Sequence, residues 1–468
     1  MTALELAERA VAAARSDDAL AHVTHERSLM LRFADGRPTQ ATAVDDFGVE
    51  LAVVRDGHVG RALTNDSREE ALVSCARRAE AAAEAAASVS RAGPHPGFAA
   101  VAAEADAGEP ATAPASGARR SAADSAPASA APDPAAGGAA LRAAFALAER
   151  HGLSAHGIWS AAEEERAVAT SAGGSALDRT SDAFMKIICI APGGRSGYAS
   201  QTAVASGALR PEWLAERAAA KAAAGGEPAE LPPGEYPVVM EPHAVGWLLD
   251  LLGTTALNGL AHAEGRGALV GRLGERVAAP AINLADSPRA AATLPRAFDA
   301  EGVPKRVMPL IQGGVARAVV HDLRSAALAG AASTGHAIAP GGHPQGPRPV
   351  NLVLAGGGAA GIDELCAPLE RGVYVTRLWY ANVVRPRETL ITAVTRDGTF
   401  LIEDGRVTRP LRDMRLTDSV LGLLSRVEAL TAGQELTSDG EFYGRHFAFG
   451  VVCPGVRAGA VRFTGASG

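Results

Sequence analysis

The sequence predicts an α+β protein, and three observations carry that prediction. Segments of alternating apolar and polar residues follow one another in the N-terminal part, separated by the turn dipeptides Asp35-Gly36 and Asp56-Gly57. Alanine-rich segments with the helical period flank these strand patterns. The second half is again rich in strand and turn patterns, which short helices interrupt. We therefore expect an N-terminal antiparallel sheet with helices, and a strand-rich C-terminal domain.

Each element of the N-terminal half follows from its own pattern. Residues 3–15 place Leu4, Ala7 and Val11 on one face of a helix. The strands and the second helix follow at residues 19–27, 28–33, 44–55, 58–64 and 68–87. Further along, the patterns predict a helix at 139–151, strands at 154–163, 166–171 and 183–191, and a helix at 211–224.

A segment of Ala, Pro, Gly and Ser at residues 93–138 divides the N-terminal half. It contains almost no large apolar side chain, so it cannot bury enough surface to offset the entropy lost on ordering. We expect a disordered insertion there. The N-terminal α+β domain then has a first part at 1–92 and a second part at 139–230, and the C-terminal domain covers 231–468. Gly- and Pro-rich breaks near residue 230 predict that boundary.

The C-terminal half opens with a short buried-strand pattern at residues 235–240 and a helix at 242–258. In the rest of this half, predicted strands and helices follow one another without a regular repeat. Strands are predicted at 302–311, 314–321, 350–354, 372–380, 388–395 and 398–403, and helices at 362–371 and 417–427.

Composition excludes several classes of protein. The formal net charge is -7 with a pI near 6.0 and no long basic run, so a nucleic-acid partner is not expected. The four cysteines form no CxxC pair, which argues against a zinc ribbon and a disulfide framework. The N-terminus lacks a signal-peptide pattern, and the most apolar stretch, 243–260, contains polar residues and is too short to span a bilayer. We expect a cytoplasmic protein with no membrane partner.

Two histidine pairs could suggest a metal site, but neither has the chemistry of one. His151 and His156 are separated as in HExxxH, yet Gly152 stands where that motif has its glutamate. His22 and His25 lie on a predicted strand and do not share a face. Loop or hydrogen-bonding roles are therefore the favoured interpretation.

Two further motifs are weak. Residues 356–361 match GxGxxG after an apolar strand, but the predicted helix is short and no acidic residue follows the next strand to hold a ribose. A flexible glycine turn is the favoured interpretation. A serine hydrolase could recruit Ser333, His336 and Asp299, but no GxSxG element is present to expose a nucleophile.

Residues 298–306, FDAEGVPKR, are more distinctive. Two carboxylates, Asp299 and Glu301, alternate before a glycine turn and the basic pair Lys305-Arg306. The residues by themselves leave two interpretations open, a functional pair of carboxylates or a solvated turn between strands.

In context, residues 298–326, FDAEGVPKRVMPLIQGGVARAVVHDLRSA, resemble the signature of the TldD/PmbA family, whose members were long labelled modulators of DNA gyrase and are related to metallopeptidases. Ser333-Thr-Gly-His336 resembles the family's STG turn, and Asn351 with GGGAAGIDEL is similar to its next conserved stretch. GVYVTRL and FLIEDGRVTRPL also resemble family segments. The likeness covers almost the whole chain except the insertion.

The resemblance also implies which of two subunit types this chain is. The TldD type carries HExxxH on the first helix of the C-terminal domain, with a cysteine near the C-terminus completing a zinc site, and the PmbA (TldE) type lacks the motif. Here Asp250 and Thr255 take the two histidine places and Leu251 the glutamate place. Leucine cannot act as a base and threonine is a poor zinc ligand. A PmbA-type chain without its own cofactor is implied, with zinc in a TldD-type partner.

Other site candidates follow from the same resemblance. Cys453 could correspond to the third zinc ligand, although a buried thiol is the favoured interpretation. His262 and Glu264 could rebuild a metal site with Asp250 or Cys453. The candidates for a cleft in the C-terminal domain are Asp299, Glu301, Ser333 and His336.

The leading functional hypothesis is a catalytically silent partner of a TldD-type zinc peptidase. The two chains would form a heterodimer that cleaves unfolded peptides, such as precursors of ribosomally made natural products. The alternative from another class is a homodimeric binding or scaffold protein without proteolytic activity. A third hypothesis is an active hydrolase with a rebuilt metal centre.

Overall fold

The computed structural model describes residues 1–16, 18–89, 93–101, 132–438 and 445–466. Its N-terminal half contains a six-stranded sheet of order β3-β2-β1-β4-β5-β6, in which every neighbouring pair is antiparallel. The strands are β1 (Ala19–Ala34), β2 (Arg37–Arg55), β3 (His58–Thr64), β4 (Ser154–Thr170), β5 (Ser175–Ile190) and β6 (Ser196–Ala203). Segments before and after the insertion meet at the central β1–β4 pair, so both contribute strands to one sheet.

Long strands replace the pairs of short strands that the sequence predicted. β1 and β4 each run without a break, because each is paired along its length on both sides and the ladder satisfies its backbone groups. Polar residues interrupt the alternating pattern without ending the strand. β6 was not predicted, since SGYASQTA contains few apolar residues.

In the part of this half that the structure describes, four α-helices accompany the sheet: α1 (Ala3–Ala12), α2 (Glu69–Val89), α3 (Pro134–Arg150) and α4 (Pro211–Ala222). α1 begins with a capping box, in which the Thr2 hydroxyl accepts from the Glu5 N–H and the Glu5 carboxylate accepts from the Thr2 N–H. Small side chains let the helices approach closely. A Cβ at Gly60 of β3 would lie 2.0 Å from the Ala79 carbonyl oxygen of α2. The many alanines in these helices therefore allow the helices to pack closely against the sheet.

The two ends of the predicted insertion are ordered parts of the fold, which corrects the boundaries 93–138. Phe98 and Val101 are buried, and α3 begins at Pro134 with the Asp133 carboxylate capping its first turn. Two buried apolar side chains therefore anchor this end of the segment to the fold. Phe98 packs in a cluster with Leu20, Val54, Val168 and Phe298. The rest of the insertion, residues 102–131, lies outside the described residues.

We expect Phe98→Ala to lower the free energy of unfolding by about 3–5 kcal/mol, the usual cost of removing a buried aromatic ring. Phe98 is 6% exposed and lies between the N-terminal sheet and Phe298 of the C-terminal domain. The control is Ala99→Ser at the neighbouring exposed position, with an expected change within about 0.5 kcal/mol. Urea denaturation of the full chain measures both, and equal midpoints would show that residues 93–101 contribute no packing.

The C-terminal half forms a mixed eleven-stranded sheet. Its main path is β10-β9-β8-β11-β17-β15-β13-β12-β7, with β14 on β13, β16 on β17, and a further pairing between β17 and β7. The strands are β7 (Gly234–Met240), β8 (Leu284–Asp286), β9 (Met308–Gln312), β10 (Val315–Ala316), β11 (Leu352–Leu354), β12 (Arg371–Arg385), β13 (Leu390–Glu403), β14 (Arg406–Pro410), β15 (Met414–Ser419), β16 (Val427–Thr437) and β17 (Val451–Ala466).

The described residues of this half form five α-helices: α5 (Pro242–Thr255), α6 (Gly259–Ala263), α7 (Leu323–Ala329), α8 (Ile362–Cys366) and α9 (Val420–Ser425). Several are shorter than predicted. Residues 356–361 lead into α8, which has five residues, so the GxGxxG match is a glycine turn and not the start of a long helix. The predicted strand at 302–311 begins only at Met308, because the preceding residues form a turn that side chains hold. The prediction of an α+β fold is confirmed.

A buried charge network joins the two halves. Glu241, between β7 and α5, lies 2.8 Å from the Lys221 Nζ and 3.2 Å from the Arg217 Nη2 of α4. The Tyr374 hydroxyl of β12 donates to the same carboxylate. Burial alone would raise the pKa of Glu241, but Lys221 and Arg217 lower it below its ordinary value. The network therefore fixes α4 against the C-terminal sheet.

Across the described residues, no helix combines the length and the apolar character that crossing a membrane requires.

Candidate functional site

A cleft of about 210 Å³ lies where the N-terminal sheet faces the C-terminal domain. The N-terminal wall comes from side chains of β1, β2, β3 and β4, and the opposite wall from the loop after β8 and the turn after α7. Residues 445–447, which precede β17, close one side. Of the four predicted cleft candidates, Asp299 and His336 line this cavity, whereas Glu301 and Ser333 do not.

Asp299 organises the turn that forms the C-terminal wall. Its Oδ1 accepts from the N–H groups of Glu301 and Val303, both at 2.9 Å, and its Oδ2 accepts from the Ala337 N–H at 2.8 Å. The FDAEG segment is thereby joined to the STGH turn. Burial and the nearby Glu301 raise the pKa of Asp299, although three backbone donors favour its ionised form. The structure gives Asp299 an architectural position on the cleft wall.

Glu301 lies behind that wall and binds two other segments. Its Oε2 accepts from the Leu323 N–H at the start of α7, at 2.8 Å, and its Oε1 is 3.4 Å from the His95 Nε2. Because the Gly97 N–H donates to Nδ1 of His95, the neutral ring carries its hydrogen on Nε2 and donates to Glu301. Burial and the Asp322 carboxylate raise the pKa of Glu301 to about 8. Glu301 therefore ties residues 93–101 to the C-terminal domain.

A buried polar cluster supports the floor of the cleft. Asp286 of β8 has its Oδ1 at 3.1 Å from the Lys305 Nζ and at 3.3 Å from the His336 Nε2, and its Oδ2 accepts from the Asn351 N–H. Lys305 also donates to the Gly335 carbonyl. Burial would raise the pKa of Asp286, but Lys305 and His336 lower it. Burial and Lys305 lower the pKa of His336, so its imidazole is neutral at neutral pH.

Ser333 is not arranged as a nucleophile. Its hydroxyl donates to the His321 carbonyl at 3.3 Å and accepts from the Gly335 N–H. His336 instead contacts Thr334, whose hydroxyl is 2.9 Å from its Nδ1. Ser333 and His336 thus stabilise one turn. Their hydrogen bonds do not join them as the nucleophile and base of a serine hydrolase.

The helix positions matched to a zinc motif have other partners. Asp250 of α5 forms an ion pair with Arg348, and Leu251 packs against the C-terminal core. The Thr255 hydroxyl donates to the Leu251 carbonyl at 2.7 Å. Each of the three side chains thus has a different partner, and their contacts do not direct them toward one shared metal position.

Cys453 of β17 lies near the beginning of α5, away from those positions. Its thiol is 3.1 Å from the Pro242 carbonyl oxygen and 3.7 Å from where a Cβ on Gly246 would lie. At about 1.5 Å per residue, Thr255 is roughly 13 Å further along the helix axis. Zinc ligands lie within about 2.3 Å of the metal, so Cys453 and Thr255 cannot share one ion. Burial also raises the pKa of the Cys453 thiol, which disfavours the thiolate that zinc requires.

The alternative ligands do not form a metal site either. His262 lies on α6, and Glu264 follows this helix and pairs with Arg266 at 2.5 Å. Within the parts of the chain that the structure describes, no three His, Cys, Asp or Glu side chains are grouped so that they could hold a metal ion. The residues predicted for a zinc centre therefore do not fit zinc here. All four cysteines are buried and free.

Sequence reasoning named Lys305 but missed two buried arginines of the cleft. Arg166 of β4 and Arg296 of the loop after β8 both line the cavity and are 6% and 7% exposed. Burial, with Arg166 and Arg296 nearby, lowers the pKa of His22 on the opposite strand to about 3. The sequence offered little signal for Arg166, because it follows three glutamates and precedes the apolar run AVAT, as a solvent-exposed arginine also would.

Three family models together cover most of the chain. The model described as the PmbA/TldA metallopeptidase C-terminal domain matches residues 233–465, domain 1 of the same family matches 23–83, and its central domain matches 127–225. Residues 84–126 and 226–232 lie between these matches.

Two curated relatives share part of the chain. A protein named metalloprotease TldD homolog from Haemophilus influenzae is 25% identical over 250 residues, which are 52% of this chain and 50% of that protein. A metalloprotease from Methanothermobacter thermautotrophicus is 27% identical over 200 residues, 42% of this chain and 43% of that protein. The chain thus spans about half the length of the curated relatives that it matches.

Two solved structures share the fold along nearly the whole chain. TldE from Thermococcus kodakarensis superposes with a TM-score of 0.79 at 19% identity, covering 98% of this chain and 99% of that chain. A protein described as a DNA gyrase modulator from Thermotoga maritima gives 0.75 at 21% identity, with the same coverage. These identities establish the architecture alone.

Proposed function

This chain belongs to the PmbA/TldD metallopeptidase family, and from that membership we propose that it is the non-catalytic subunit of a TldD-type zinc peptidase complex that cleaves unfolded peptides. One observation carries the proposal: Asp250, on the helix that the motif would occupy, is neutralised by Arg348. A carboxylate held by a guanidinium is a poor metal ligand, and the neighbouring Leu251 offers no base.

In this role the chain contributes part of the substrate-binding surface of the complex and none of its catalytic groups. The partner would supply zinc, which activates water for attack on the peptide bond. This chain would supply one wall of the substrate path and restrict it to extended chains. The rigid interdomain contacts through Glu241 and Glu301 would hold that wall in place.

The decisive experiment is co-expression with a TldD-type chain, followed by peptide-cleavage assays of each chain alone and of both together. We expect co-purification, and cleavage only by the pair. A matched control uses a partner whose motif glutamate is replaced by glutamine. Cleavage that persists with that partner would place catalysis in this chain and overturn the proposal. A stable homodimer that excludes the partner would favour a scaffold protein.

Zinc analysis gives an independent prediction. We expect no stoichiometric zinc in the purified chain, and no gain in the triple variant Asp250→His, Leu251→Glu, Thr255→His, because Cys453 lies beside Gly246 and cannot complete that site. Elemental analysis after dialysis measures both proteins. One tightly held zinc per wild-type chain, together with chelator-sensitive cleavage, would refute the silent-subunit proposal.

A further inference from the structure

Arg296 is a buried cation on the cleft wall without an ion-pair partner among the described residues. Its Nη2 donates to the Ala448 carbonyl, and its guanidinium lies 4.4 Å from the centre of the Phe447 ring. Burial lowers the pKa of Arg296 to about 10. Asp178, Asp182 and Asp286 attract Arg296 without forming an ion pair with it, and each has a nearer partner: the Ala297 N–H, His446 and Lys305, respectively. The attraction of these carboxylates does not cancel the cost of burial, because the pKa of Arg296 is still lowered, and a bound anion would reduce that cost further.

Arg166 lies beside Arg296 and has a free donor. Its guanidinium is 5.6 Å from the centre of the same Phe447 ring, and its Nη2 donates to Glu164. Its Nη1 is buried and has no hydrogen-bond partner in the described residues. Burial, followed by the repulsion from Arg296, lowers the pKa of Arg166. Two guanidinium groups that repel each other therefore face one cavity.

The rest of the cavity indicates what else a ligand should carry. Phe298, Ile338 and Val350 provide apolar walls. At the rim, Leu63 is 59% exposed and Phe447 is 40% exposed, both unusual for large apolar side chains. The lining also includes the carboxylates of Glu50, Glu164 and Asp299, of which Glu164 pairs with Arg166. At the arginine end of the cavity, an anionic group next to an apolar group matches the lining, because the first is attracted by the arginines and the second loses contact with water.

We propose that this cleft binds an organic carboxylate that carries an apolar substituent, with the carboxylate held between Arg296 and Arg166. The C-terminal residue of a peptide and a free carboxylic acid share this chemistry. The proposal concerns binding by this chain alone, so it does not rest on the proposed partnership with a peptidase. Carboxylates pair well with guanidinium groups because two parallel hydrogen bonds can form.

Titration calorimetry on the full chain tests the proposal with four probes. These are acetyl-Ala-Ala-Leu with a free carboxylate, the same peptide as its C-terminal amide, N-acetylleucine, and inorganic phosphate. We expect saturable binding of the free acid and binding of the amide weaker by at least about tenfold. If the peptide acid binds more tightly than N-acetylleucine, the ligand is a peptide end; equal affinities indicate a small carboxylic acid, and both results support the proposal.

The matched variants are Arg296→Gln in the cleft and Arg272→Gln on the surface, where Arg272 pairs with Glu275. We expect Arg296→Gln to weaken binding of the free acid by at least about tenfold, and the melting temperature of the variant, measured beside the titration, shows that the chain is folded. Arg272→Gln should leave affinity unchanged. Equal binding of acid and amide, unchanged affinity in Arg296→Gln, phosphate binding tighter than every carboxylate, or no binding up to about 10 mM would each overturn the proposal.

Discussion

Replacing Glu241 with alanine should lower the free energy of unfolding by about 3–5 kcal/mol, because the substitution leaves buried cations without their counter-charge. Glu241 is 5% exposed and contacts both Lys221 and Arg217 of the N-terminal half. Burial lowers the pKa of Lys221 even with Glu241 present, so the loss of this partner leaves a strongly disfavoured ammonium. Urea denaturation monitored by tryptophan fluorescence measures the change.

The matched control for that experiment is a surface ion pair. Arg272 and Glu275 have side chains 43% and 59% exposed, and Glu275→Ala should change stability by less than about 1 kcal/mol. Glu241→Gln should give an intermediate loss, since an amide can keep hydrogen bonds but carries no charge. If Glu241→Ala and Glu275→Ala have equal effects, the buried network does not hold the two halves together.

Glu301→Gln should make stability less dependent on pH and raise it at alkaline pH. The folded protein has a pKa of about 8 for Glu301, above the ordinary value of 4.5, so the folded state binds more protons than the unfolded state between these values. The stabilising contribution of this carboxyl is complete below about pH 4.5 and is lost as pH rises through about 8. At pH 8.5 we expect the variant to be roughly 2–4 kcal/mol more stable than the wild type.

Denaturation at several pH values between 5 and 8.5 tests this expectation. Exposed Glu388, which pairs with Arg385, provides the control Glu388→Gln, whose pH dependence should match that of the wild type. Parallel stability curves for the wild type and Glu301→Gln would contradict a protonated Glu301. They would mean that the N–H groups of Leu323 and His95 are sufficient to stabilise the buried carboxylate.

Local patterns in the sequence were sufficient for the class of fold, and the resemblance of residues 298–326 to a known signature was sufficient for family membership; both predictions are confirmed. The strand β3 and the helix α4 begin where the sequence predicted. The Asp56-Gly57 turn fixes the backbone just before β3, and Pro211 fixes the backbone in the first turn of α4. The extents of β1 and β4 could not be predicted, since their continuity comes from partners on both sides. The same reason explains the ordered ends of the insertion, where Phe98 contacts residues distant in sequence.

The sequence by itself determined that the zinc motif is absent from α5, because Leu251 and Thr255 lack the required chemistry wherever they lie. Only the tertiary structure decided that Cys453 faces Gly246, and that Asp250 is neutralised by Arg348. It also brought Arg166 and Arg296, separated by 130 positions in the sequence, to one phenylalanine ring. Backbone propensities act over a few residues, whereas burial and electrostatic interactions depend on distances in space that no local pattern contains.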